Sequence, residues 1–199
     1  MTVAHDSFKS HISQSRDAIE IYEYLKPKGY HADFGLRFVW VSVVSALDHY
    51  ISQLIVERAT EHFATGTPFS AKLLNDSVPI SGLMKLYSAN SLQAVLEFRT
   101  LISQNVRFRT FQKADDIADG LAMIWNESQK WSKISSLLGI KDKNARYKLN
   151  SIAYRRDLIV HNADYDESSG NLTDCKVEDA KEVVNYVSRV VEAIDHLVK

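Results

Sequence analysis

Phe38-Val39-Trp40-Val41-Ser42-Val43-Val44-Ser45-Ala46-Leu47, followed by Asp48, His49, Tyr50 and Ile51, is the stretch that decides the fold. Around it Leu36, Trp40, Val43, Val44, Leu47, Tyr50, Ile51, Leu54 and Ile55 recur at the i, i+3, i+4, i+7 spacing of a helix. This predicts one long helix over about residues 33–63, the spine of the fold. Its uncharged run lies between Arg37 and Asp48 and is half the length of a membrane span, roughly 20 residues. A buried core helix is expected, and no membrane partner.

Working outward, a helix over about 5–26 ends at Pro27 and Gly29, and Gly66-Thr67-Pro68 stops the long helix. Residues 65–82 hold two prolines and two glycines and read as a crossing loop with at most a short turn. Further helices are expected at about 91–105, 115–125, 128–138 and 143–162. A polar loop over 163–174 precedes the last helix, about 176–198, with Val177, Ala180, Val183, Val184, Val187, Val190 and Val191 on one face. Those valines favour strand weakly, but a 3.6-residue period over some twenty positions outweighs propensity. The fold class expected is all-α: a helical bundle with long antiparallel helices and a C-terminal amphipathic helix, residues 1–199 forming a single domain.

A chain of 199 residues can bury a proper core. The single cysteine, Cys175, excludes an internal disulfide and a cysteine metal knuckle. The first residues contain no apolar run of signal-peptide type, so a cytoplasmic setting is expected. No glycine-rich phosphate loop occurs, which argues against ATP or NAD chemistry. The seven histidines include no i, i+4 pair, and no pair has carboxylates arranged as a zinc site requires. No metal and no cofactor are expected. Asp115, Asp116 and Asp119 fit a helix N-terminus better than a divalent ion.

Formal net charge is only −1, yet charge is sorted along the chain. From Ser128 to Arg156 eight bases (Lys130, Lys133, Lys141, Lys143, Arg146, Lys148, Arg155 and Arg156) face one acid, Asp142. From Asp157 to Glu182 the balance reverses, with eight acids against Lys176 and Lys181. A basic block can neutralise phosphates, and Trp131, Tyr147 and Tyr154 within it can stack on bases. Arg146, Lys148, Tyr154 and Arg155 are the candidate RNA contacts. The alternative is a solvated helix face whose aromatics belong to the core.

The block ends in Arg156-Asp157-Leu158-Ile159-Val160-His161-Asn162. An arginine presents a planar fork of donors to a phosphate and stays charged. A histidine can move a proton to or from a sugar oxygen near neutral pH. Cleavage of RNA by its own 2′-hydroxyl needs those two acts and correct geometry. Five residues of regular helix turn through about 500°, setting the two side chains roughly 140° apart. A distorted helix end, or a two-fold dimer pooling both pairs in one cleft, would reunite them, and the dimer is favoured. Alternatively Arg156 pairs with a nearby acid and His161 is a helix-end histidine.

Arg156, Asp157 and His161 in a late helix match the R-x4–6-H signature of the HEPN superfamily, small all-α domains of prokaryotic toxin, defence and RNA-processing systems, which the chain resembles. The helix containing Val41 to Tyr50 looks like its counterpart in the RiboL-PSP-type HEPN subgroup, so the likeness spans about residues 33–198. The resemblance implies a metal-independent endoribonuclease, a toxin or phage-defence effector working as a homodimer. Arg156 would bind phosphate, His161 would transfer protons, and Asp157 and Asn162 would orient them. An antitoxin or other defence-system protein is an implied partner. In one branch a tyrosine two residues after the histidine is modified by the antitoxin; here Ala163 holds that place, so that route is not expected. The alternative within the superfamily is a non-catalytic module that binds RNA or a protein. Asp48, mid-helix in an apolar run, is expected to support the site through Arg155 or Arg156. Cys175, just before the last helix, is a candidate for mild activation by the helix N-terminus.

Overall fold

The computed structural model describes residues 2–166 and 168–198, and among them the chain is all-α. The described residues form nine α-helices: α1 (Val3–Leu25), α2 (Asp33–Thr65), α3 (Ala71–Leu74), α4 (Ile80–Ser88), α5 (Ser91–Val106), α6 (Ala114–Leu121), α7 (Lys130–Leu138), α8 (Asp142–His161) and α9 (Val177–Leu197). The described residues contain no strand; one isolated bridge pairs Tyr165 with Leu172 in the loop after α8.

The spine is α2. Its buried residues, among them Leu36, Val43, Leu47, Tyr50, Ile51, Leu54 and Ile55, occupy most of its circumference. A helix apolar nearly all round must be covered on several sides. Partners are supplied by α1, α5, α8 and α9. By length and composition alone α2 could cross a membrane, but over half of its most apolar window is already buried by the other helices. Gly66, in the left-handed region at φ 72°, ends it and returns its N–H to His62 O.

The α1–α2 hairpin folds about the short 3-10 turn at Lys26–Lys28, so paired positions mirror each other across it. Ser15 Oγ donates to Ser42 Oγ at 3.1 Å, and the Phe8 ring meets Tyr50 edge-on. At the open end Glu57 accepts from the backbone N–H of Val3 and of Ala4, an acid where the helix dipole favours one.

Two differences from the sequence expectation stand out. The crossing loop is shorter than 65–82, because α4 begins at Ile80 directly after Pro79. Ile80, Leu83, Met84 and Tyr87 have the i, i+3, i+4, i+7 spacing of a helix, but Pro79 and Gly82 among them read as loop punctuation, and in the structure all four side chains are exposed. Trp131, expected as a possible stacking platform, is a core residue whose Nε1 donates to Ala114 O at 2.7 Å. An indole that finds a partner for its N–H can be buried without penalty.

Candidate functional site

The last three turns of α8 and the loop behind them form the candidate site. Asp164 is the anchor. It lies in the left-handed region at φ 63°, after Ala163 at φ 50°, and is 1% exposed. Arg37 Nε on α2 donates to its Oδ2 at 2.7 Å, and Arg155 Nη2 donates to the same oxygen at 2.9 Å. Arg155 Nη1 lies 2.5 Å from Oδ1. Arg37 also donates to Thr173 O at 2.8 Å, tying the far side of the loop to α2. A buried carboxylate held by two guanidinium groups makes this a clamp between α2, α8 and the loop.

That clamp sets the order of the helices. Arg37, near the start of α2, meets the end of α8. Further along α2, Asp48 meets the segment before α6, where Ala114 N–H bonds Asn150 in mid-α8. The two helices therefore run antiparallel.

Arg155 and Arg156 part company, as neighbours about 100° apart on a helix must. Arg155 serves the clamp, with its guanidinium turned to Asp164. Arg156 continues the buried stripe of Ala145, Leu149 and Ile152, and its side chain is 20% exposed. Its Nη1 donates to Asp157 at 3.1 Å, while its Nε is shielded from solvent without an acceptor. His161 is the exposed last residue of α8, and Asn162 is its C-cap. The helix is regular to that point, with Asn162 N–H bonded to Leu158 O. Distortion therefore does not bring Arg156 and His161 together within one chain. The roughly 140° between them persists.

Other candidates fall as follows. Tyr154 is exposed. Arg146 reaches Asp115 on α6, and Lys148 bonds Glu182 on α9. The basic block thus spends part of its charge on acids of neighbouring helices. Asp48 does not support Arg155 or Arg156. It accepts from Phe111 N–H at 2.8 Å and from Gln112 Nε2 at 2.9 Å, satisfying a buried acid by fastening the loop before α6. Cys175 is buried, and burial pushes its thiol above the usual range, so the activation expected from the helix N-terminus is not found.

Two features escaped the sequence reading. Asp164 gave no signal, because nothing in an acid within a polar loop announces a positive φ and two arginine partners. His11 and His49, the second, are 38 positions apart, yet the hairpin sets their rings 5.6 Å apart and nearly perpendicular. Mirroring positions across the turn at 26–32 would have found them. Burial, and then the nearby His11, lower the pKa of His49 below the usual value, while Asp48 opposes the shift. Among the described residues no group of three or more His, Cys, Asp or Glu could hold a metal ion.

No family model, curated protein or solved structure matches this chain.

Proposed function

We propose that the chain is a HEPN-type RNA-cleaving domain that works without a metal, with Arg156 holding the scissile phosphate and His161 transferring the proton. The observation that carries this reading is the state of Arg156. It is a mostly buried arginine that spends one donor on Asp157 and keeps an Nε without an acceptor. A guanidinium in low-dielectric surroundings with donors left over is suited to an anion whose charge grows during reaction. His161 stands exposed about 1.4 turns on, where a proton carrier has access to solvent.

Because the two side chains diverge, catalysis by this pair requires a second copy. Tyr154, Val160, Tyr165 and Leu172 leave apolar surface exposed around the helix end, in keeping with a two-fold contact there. In such a homodimer the Arg156 of one protomer and the His161 of its partner copy would flank one ribose–phosphate linkage. The reaction is attack of the 2′-hydroxyl on the adjacent phosphorus, with departure of the 5′-oxygen. A cytoplasmic toxin or defence effector, restrained by an antitoxin or other partner, is the setting this reading carries with it. The same divergence favours a second reading, a non-catalytic module that binds RNA or a partner protein as a monomer.

The test is RNA cleavage in EDTA by wild type, Arg156→Ala and His161→Ala, with the mass of each species in solution. Dimeric wild type that leaves 2′,3′-cyclic phosphate ends, and loses at least about 10³-fold in rate in either variant, supports the enzyme. Binding without cutting supports the module. Variants that both cut and bind like wild type refute both readings.

A further inference from the structure

We propose that His11 and His49 form a binding site for a divalent transition-metal ion of the zinc class, bridging α1 and α2. The site is distinct from the end of α8 and does not depend on the RNA reading.

The two imidazoles come from different helices and face one groove of about 410 Å³, whose floor is the α2 residues Phe38, Val41, Ser42 and Ser45. Their centroids lie 5.6 Å apart with an interplanar angle of 87°. A zinc ion about 2.0 Å from one nitrogen of each ring, at a near-tetrahedral angle, sets the centroids about 5 Å apart. The observed separation is within a small side-chain adjustment of that value. Perpendicular rings can aim one nitrogen each at a common point, which rings stacked face to face cannot.

Independent support comes from His11. Its Nδ1 is shielded from solvent and has no hydrogen-bond partner. A buried ring nitrogen beside a second imidazole, with nothing to bind, is a costly arrangement that a metal ion would relieve. Asp48 directly precedes His49 on α2, but its two oxygens are occupied by Phe111 and Gln112, so no carboxylate joins the set. Two imidazoles leave the remaining positions to water. Such a donor set selects zinc, nickel, cobalt or copper ions over magnesium or calcium. It makes a modest site, one that staples the hairpin.

The experiment is calorimetric titration of the full chain with zinc chloride at pH 7.5, alongside His11→Gln, His49→Gln and a magnesium chloride control. Cobalt substitution, followed by visible absorption, reads the ligand field. One zinc per chain is expected, with affinity falling at least about ten-fold in each variant and no response to magnesium. Circular dichroism in EDTA checks that the variants fold. Should His11→Gln lose the fold, His49→Gln, which alters an exposed ring, decides alone. Zinc binding that is absent in wild type, or that survives His49→Gln unchanged, overturns the site.

Discussion

Replacing Asp164 by asparagine tests the clamp between α2, α8 and the loop. Asparagine has nearly the same volume and tolerates the left-handed backbone at φ 63°, so the substitution removes charge and little else. It leaves Arg37 and Arg155 facing each other with no anion between them, in a place where the Asp164 side chain has no exposure. Removing one partner of a buried ion pair costs about 3–5 kcal/mol, because the remaining charge stays desolvated. The amide oxygen can still accept one hydrogen bond, so the lower end, about 3 kcal/mol, is expected. For a chain of this size that is roughly 6–12 °C in Tm. Urea unfolding at pH 7 measures it, and hydrogen exchange should show the loss concentrated in residues 163–174 and the last turn of α8. Adding Arg37→Met and Arg155→Met to Asp164→Asn should recover most of the stability, since an apolar replacement of a buried ion cluster is close to neutral. A loss under about 1 kcal/mol for Asp164→Asn, or a triple variant weaker than the single one, would refute the argument.

Three further outcomes are expected. A Cβ on Gly120 would meet Phe111 Cε1 at 2.4 Å and Ile55 Cδ1 at 3.1 Å, so Gly120→Ala should cost about 1–2 kcal/mol in urea unfolding despite alanine's better helix propensity. Cys175 is buried and its thiol is raised by that burial, so its alkylation in the native protein should run about 100-fold slower than in urea; equal rates would contradict the packing. Because the folded state holds the His49 pKa below its usual value of 6.5, the unfolded chain binds the extra proton first. The contribution of His49 to stability is thus complete above pH 6.5 and is lost as pH falls through the window down to its folded pKa. His49→Gln should slightly flatten the unfolding midpoint against pH between 7 and 5, and an unchanged slope would count against the partial desolvation of that otherwise exposed ring.

The helical architecture was legible because its signal is local. A stripe such as Leu36, Val43, Leu47, Leu54 repeats every 3.6 residues whatever lies opposite, and glycine and proline mark where it stops. The one helix that escaped, α4, carries that period in Ile80, Leu83, Met84 and Tyr87, but Pro79 and Gly82 mask it as loop, and its apolar face is left uncovered. The position of Arg156 and His161 at the end of a helix was equally readable, as was their angular divergence.

What the sequence by itself determined is therefore the set of helices and the identity of the residues at the end of α8. Only the tertiary structure decided which of two adjacent arginines is spent on Asp164 and which keeps free donors, where the positive charge of α8 is neutralised, and that His11 meets His49. Helical period follows from backbone geometry within a few residues. Charge pairing and ring contact depend on which helices pack together, over separations of tens to more than a hundred residues, and no local pattern encodes them.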